Sequence, residues 1–328
     1  MEINTNSHAL GCPPGEALIF AAIVLFPMPH FHHLKIALFS FVICCAPVLA
    51  QAQKQVAAAD LKVLQQMEDS LCLSADSMYS AFLFDTRIQY SERFARQLVR
   101  ALKVPNSWNY AFPRVADRIE ILNSPDGAFR IFNWDVIPGV KMRRYYAAIQ
   151  LPSENLKLYG LVDYSTELGK DVEDTVLSGG KWFGCLYYRI IPEELNGEKI
   201  YTLFGLNTNA YLSNRKVLDP MRLTEHGPVF GAPIFNVRSE YRPNERVNRF
   251  VLEYKKQVQV GLNWDTENQR IYFDNLVSQV NDPHRKYTYV PSGQVDGFRW
   301  DGTGWSYLQD IVKIVPRKDG EAPINEPQ

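Results

Sequence analysis

Phe250-Val251-Leu252-Glu253-Tyr254-Lys255 alternates a purely apolar face (Phe250, Leu252, Tyr254) with a mixed one (Val251, Glu253, Lys255). That two-residue period is the signature of a half-buried strand. Val258, Val260, Leu262 and Trp264 then oppose Gln257, Gln259, Gly261 and Asn263. The polar turn Asp265-Thr266-Glu267-Asn268 leads into a third run, Arg270 to Leu276. Three strands in meander order make this part of the chain antiparallel β.

Outward from this meander the same punctuation recurs. Ile119-Glu120-Ile121 meets Ser124-Pro125-Asp126-Gly127, where Pro fixes φ and Gly supplies a positive φ, and Phe129 to Trp134 returns as the partner. Further strands are expected near 140–151, 156–163, 182–191, 198–206, 286–290 and 306–315. About eleven or twelve short strands at this spacing point to an antiparallel sandwich or barrel. Seventeen Tyr and eighteen Phe suit pleated, half-buried surfaces. The phrase Phe132-Asn133-Trp134-Asp135 returns as Leu206-Asn207-Thr208-Asn209 and Leu262-Asn263-Trp264-Asp265 at unequal spacing. It therefore reads as strand-end turn chemistry rather than a repeat.

Residues 53–105 have a helical period instead. Asp60 can cap a helix carrying Leu61, Leu64, Met67 and Leu71, and Ser91 can cap a second one carrying Phe94, Leu98 and Leu102, which Pro105 closes. One apolar face on each helix requires a packing partner. The expected fold class is therefore α+β, mostly β, with an N-terminal helical unit (53–105) packed on a large antiparallel β-sandwich or barrel (106–315) and a disordered polar tail (316–328).

Ahead of these lies a leader. His30, His32, His33 and Lys35 precede an apolar run from Ile36 to Leu49 that ends in Ala50-Gln51-Ala52, a small-residue cleavage site. The pattern predicts a signal peptide over 28–52, with the natural start expected at Met28 and 1–27 an upstream stretch. A membrane hairpin made with the second apolar stretch, Ala17 to Phe26, competes, but each run is short of the roughly 20 residues a span needs. Export to the periplasm, outer membrane or exterior is the expectation, with the membrane met only through the cleaved signal.

Removal of 1–52 takes away Lys35, Glu2 and Glu16 and leaves 34 basic and 34 acidic residues. A neutral chain has no electrostatic footprint for nucleic acid. Of the histidines only His226 and His284 survive, so no metal site is expected, and no cofactor motif is present. Cys72 and Cys185 also survive and could form one disulfide in an oxidising compartment, or remain two buried thiols.

The richest stretch for a binding site is 219–246, where Pro220, Gly227, Pro228, Gly231, Pro233 and Pro243 suggest a long loop carrying Arg222, Glu225 and His226. The more economical alternative is a plug in which Phe230 and Phe235 cover an end of the β core. Asp274 and Asp296, at strand ends, complete the candidate set. Asp296 to Gly302 reads as two Asp-Gly turns around a short strand rather than a calcium loop, for want of alternating carboxylates. The acidic pairs Glu193-Glu194 and Glu173-Asp174 read as solvated loops, since neighbours on a strand point to opposite faces.

Several stretches carry a resemblance: Ser124-Pro125-Asp126 with Phe129 to Asp135, Tyr201 to Leu206, Phe230 to Phe235, Ile271 to Leu276, and Asp296-Gly297-Phe298. Together these resemble a family of exported β-rich proteins of Gram-negative bacteria, over most of 90–315. The chain departs from it at Asp274-Asn275, where the family would have an acidic–histidine pair. The resemblance implies an intact exported domain; no activity is attached to the family, so it transfers no catalytic residue. The functional expectation is a non-catalytic exported binding or envelope-associated module whose partner is an envelope glycan or protein. The alternative is a hydrolase acting on envelope polysaccharide or peptide. Intact mass of the protein from envelope fractions should lack everything up to Ala50 or Ala52; a form beginning at Met1 would contradict the leader.

Overall fold

A computed structural model describes residues 55–140, 142–169, 171–208, 211–238 and 243–312; the leader and the polar tail lie outside the described residues. The chain is α+β, mostly β. Two long helices come first, α1 (Ala58–Ser80) and α2 (Phe84–Leu102), then the short α3 (Pro113–Ala116). The strands follow as β1 (Glu120–Asn123), β2 (Arg130–Gly139), β3 (Met142–Gln150), β4 (Leu158–Asp163), β5 (Lys181–Trp182) and β6 (Leu186–Leu195). Next come β7 (Glu198–Asn207), β8 (Ser213–Thr224), β9 (Gly227–Phe230), β10 (Phe235–Arg238) and β11 (Pro243–Val247). The chain ends in β12 (Phe250–Lys255), β13 (Leu262–Asp265), β14 (Arg270–Ser278), β15 (Tyr289–Trp300) and β16 (Trp305–Leu308). No helix among the described residues is long and apolar enough to cross a membrane.

These strands form three open sheets among the described residues, not one barrel or a two-sheet sandwich. The first runs β1-β2-β3-β4-β5, the middle one β12-β8-β7-β6 with β9 also on β8, and the last β11-β10-β16-β15-β14-β13. Pairing is antiparallel except for the short parallel contacts β4–β5 and β10–β16.

Side-chain alternation stacks them. Phe132, Trp134 and Val136 point from β2 to the helices, where they meet Leu64, Leu71, Phe94 and Leu98. The intervening Ile131, with Tyr145, Ala147 and Ile149 of β3, packs on Tyr187, Tyr201, Leu203 and Val217 of the middle sheet. From the far face of that sheet, Ile200, Phe204 and Leu218 pack on Phe235, Ile271, Phe273, Phe298 and Trp305. The order of layers is helices, first sheet, middle sheet, last sheet. Two inner sheets covered on both faces account for the continuous burial of Arg130 to Val136 and of Ile200 to Asn207 apart from the half-buried Leu206.

Polar groups trapped between layers are paired. Asn133 accepts the Tyr187 amide at 2.6 Å through Oδ1 and donates Nδ2 to the Cys185 carbonyl at 3.0 Å, joining the first sheet to the middle one. Asn207 donates to the Gly184 carbonyl nearby. These two asparagines are therefore long-range ties, while the Asp265 phrase makes a local turn, accepting the Asn268 amide at 3.1 Å; Asn209, at the end of the second phrase, lies outside the described residues. Arg130 donates to Gln150 Oε1 (2.8 Å) and to the carbonyls of Tyr110 (2.7 Å) and Ser107 (2.9 Å) among the rings of Trp108, Phe112 and Phe132. Burial among these neutral acceptors pulls its pKa down to about 9.

The sequence expectations need three corrections here. Ser91 does not cap the second helix: α2 starts at Phe84 with Asp85 in its first turn, and Ser91 is buried within it, accepting Trp134 Nε1 at 3.0 Å. Cys72 and Cys185 are not bridged. Both are buried free thiols, Cys72 in the helical core and Cys185 in the core between the first and middle sheets, each pushed up in pKa chiefly by burial. Asp296-Gly297 is not a turn but lies inside β15, with Gly297 paired to Tyr272.

The Ser124–Gly127 turn forms as expected, with Gly127 at φ 70°, and reaches across to the middle sheet. Asp126 accepts Lys199 Nζ at 2.5 Å and Tyr201 Oη at 3.0 Å. Its partial burial alone would raise the pKa, but the bonds from Lys199, Ser124, Ala128 and Tyr201 hold it at about 2. A carboxylate depressed in the folded state stabilises it above the unfolded pKa, and that stabilisation fades as pH falls through the folded value. Because Lys199 is exposed and solvent screens the pair, Asp126→Asn should cost about 1–2 kcal/mol at pH 6. The difference from the parent in urea unfolding should close near pH 2; a pH-independent difference would contradict the assignment.

Candidate functional site

The 219–246 stretch is mostly strand. β8 continues to Thr224, β9 returns from Gly227, and β10 and β11 follow. Pro220 is tolerated because β8 changes partner there, pairing with β12 as far as Leu218 and with β9 from Met221. Its missing N–H falls where that edge needs no donor, while its carbonyl accepts the Gly231 amide at 2.7 Å. Gly231 has φ 92°, and a Cβ there would sit 2.9 Å from the Thr175 carbonyl oxygen, so only glycine fits the bend. Phe230 and Phe235 are fully buried, in the two separate cores on either side of the middle sheet.

None of the five residues expected to bind comes together with the others at a cleft. Glu225 and His226 form the tip of the tight β8–β9 hairpin, 3.2 Å apart and both almost fully exposed. Arg222 is half-buried on β8 opposite Val229. Asp274 accepts the Gly261 amide at 2.7 Å and so fixes the bend before β13. Asp296 is buried and accepts Asn275 Nδ2 (2.6 Å), the Asp310 amide (2.9 Å) and the Tyr307 hydroxyl. Paired strand residues share a face, so Asp274 (opposite Val295) and Asp296 (opposite Phe273) point to opposite sides of the last sheet.

A concave site among the described residues lies elsewhere, at the end of the middle sheet. A cleft of about 530 Å³, within the usual range for ligand sites, is floored by Phe250, Val251, Leu252 and Glu253 of β12. One wall is the segment carrying Gly169, Val172 and Glu173. The other combines Leu276, Tyr289 and Tyr307 of the last sheet with the β14–β15 connection at Pro283, His284, Lys286 and Tyr287.

The groups in this cleft are already organised. Glu253 takes Arg215 Nε at 3.0 Å on one carboxylate oxygen and Ser213 Oγ at 2.5 Å on the other. Lys286 Nζ sits 4.5 Å from the centre of the Tyr289 ring, a cation–π contact. Tyr307 is held from behind by its bond to Asp296 and by edge contact with Phe298 at 5.8 Å. Asp296 thus supports a lining residue without lining the cleft. The connection is shaped by Ser278 Oγ, which accepts the Asp282 amide at 3.1 Å, and by Asp282, which accepts the His284 amide at 2.9 Å. Aromatic walls beside paired charges can hold a ligand. Each oxygen of Glu253 already accepts one hydrogen bond.

Sequence reasoning missed this site. Its one local signal is Pro283 to Tyr289, where His284, Arg285 and Lys286 run into Tyr287 and Tyr289; Glu173 was set aside as a solvated loop. Among the described residues no His, Cys, Asp and Glu side chains cluster as metal ligands. Compared with family models, curated proteins and solved structures, the chain matches none.

Phe230→Ala or Phe235→Ala should cost about 3–5 kcal/mol in urea unfolding, as removal of a fully buried ring does. Glu225→Ala and His226→Ala, at an exposed hairpin tip, should stay within about 0.5 kcal/mol of the parent. The reverse ranking would return the 219–246 stretch to the role of a functional loop.

Proposed function

We propose that this chain is a non-catalytic, exported binding module of the cell envelope, and that the cleft over β12 is its site. The observation that carries this reading is the cleft's lining: three tyrosines, the cation–π pair of Lys286 with Tyr289, and a carboxylate already engaged by Arg215 and Ser213. Such a surface holds a ligand through ring faces and fixed dipoles. Export is supported by the apolar leader with its small-residue cleavage site and by the resemblance to exported β-rich proteins of Gram-negative bacteria. The partner class is an envelope glycan or protein.

The hydrolase alternative has one observation in its favour, that Glu173 and Glu253 line the same cleft. Two carboxylates are the minimum for glycosidase chemistry. The engagement of both Glu253 oxygens weighs against it.

Co-sedimentation of the processed protein with purified sacculi and outer-membrane fragments tests the proposal. Retention should fall at least tenfold in the double variant Tyr287→Ala/Lys286→Glu and be unchanged in His226→Ala. Equal retention of the cleft variant would overturn the site. Release of new reducing ends or amino groups from the envelope material would replace the binding reading with the hydrolase one.

A further inference from the structure

We infer that the cleft takes an extended peptide, which joins the middle sheet as an added strand along the free edge of β12; this rests on the cleft being the binding site. The first ground is topology. β12 ends its sheet among the described strands, pairing with β8 and no other. Among the described residues its backbone bonds beyond that ladder lie at its ends, where Glu173 accepts the Asn248 and Arg249 amides, Leu212 accepts the Lys256 amide and Lys255 accepts the Val258 amide.

The second ground is which residues line the cleft. Phe250, Val251, Leu252 and Glu253 are consecutive, and all four line it. Successive strand residues point to opposite faces. Phe250 and Leu252 pack into the core shared with the last sheet, and Val251 packs against the core shared with the first. A cleft lying on one face would meet only alternate residues. Meeting all four, together with Val172 from one side of the sheet and Tyr307 from the other, points to a course along the strand's free edge, from which the cleft also reaches Arg215 of β8 over the Glu253 face.

The third ground is the state of that edge. Exposed edges are ordinarily blunted by proline, a bulge or an outward charge. β12 contains no proline, keeps an unbroken six-pair register with β8, and has both its charges engaged, the Glu253 carboxylate by Arg215 and Ser213 and Lys255 Nζ by Gln279 Oε1 at 3.1 Å. The other end of the same sheet, β6, lies against β1 and β2. What protects β12 is recession: the walls at Gly169, Val172 and Glu173 and at 283–289 stand on either side. A second sheet cannot reach an edge in a groove, but a single extended chain can. Four residues span about 10 Å of strand, and Tyr287, Tyr289 and Tyr307 supply surfaces for alternate side chains of the incoming chain. A saccharide could use the rings but not the ladder of backbone groups, so the geometry favours a peptide.

A randomised nine-residue peptide library displayed on phage, panned on the processed protein with the Tyr287→Ala/Lys286→Glu variant as the subtracting control, supplies the probe. The selected peptide is then resynthesised with each backbone nitrogen methylated in turn. Strand addition gives a two-residue period: methylation at alternate positions weakens binding at least tenfold, and at the intervening ones less than twofold. A flat profile, or loss at every position, overturns strand addition. Should no peptide enrich while soluble peptidoglycan fragments bind the parent and not the control, the ligand is a glycan; this inference fails and the binding reading stands. If neither probe binds, both fail. Concentration-dependent dimerisation abolished by the cleft variant would make the occupant a second copy of this chain and overturn the partner-peptide assignment.

Discussion

The Asp219–Arg249 pair, wholly buried at the centre of the stack, is the interaction on which the rest depends. Arg249 Nε donates to Asp219 Oδ1 at 2.8 Å, Nη2 lies 2.8 Å from the same oxygen, and Nη1 donates to the Val172 carbonyl at 2.6 Å. The remaining carboxylate oxygen takes the Tyr187 hydroxyl at 2.7 Å. One guanidinium therefore ties β8, the start of β12, the start of β6 (through Tyr187) and the segment that walls the cleft. Removing either charge would strand the other in the core, which costs about 3–5 kcal/mol. Replacing both by apolar groups would cost far less. What the pair gives is position: it sets where β12 begins, and with it the floor of the cleft.

That anchoring bears on how a ligand could be held. A loop-built site must order its walls when it binds, at about 0.5–1.5 kcal/mol per immobilised side chain. Here one wall hangs from Arg249 through Val172, with the Asn248 amide 2.8 Å from the Glu173 carbonyl. The other is braced by the Asp296–Tyr307 contact and by Lys255 Nζ on Gln279 at 3.1 Å. Both walls are set before a partner arrives.

The β character of the chain was legible because alternation is a local property. Phe250 to Lys255 alternates cleanly in sequence, and it is a strand. Where a strand is covered on both faces, alternation carries less information: Arg130 to Val136 reads as a run of mixed residues because its two faces serve different cores. The second meander strand begins only at Leu262, since Asp274 draws the Gly261 amide into a bend. The 219–246 stretch misled for a related reason. Pro220 and Gly231 are breakers in isolation, but their places in β8 and after β9 are set by which strand lies alongside, and a sequence does not show its neighbours.

The site was less legible than the fold for the same physical cause. Its floor comes from β12, its charge pair bridges to β8, and its walls come from Gly169, Val172 and Glu173 and from 283–289 and 307. No window of sequence contains that combination. Glu225 and His226 are a titratable cluster in the sequence, yet a carboxylate and an imidazole at a hairpin tip in water interact weakly and have no walls to exclude solvent. The groups that count at a sheet edge are backbone N–H and C=O, which every residue carries and which composition cannot mark. Sheet order marks them: β8 has β7 on one side and β12 then β9 on the other, so the open side of β12 is left facing a cleft that two other layers build around it.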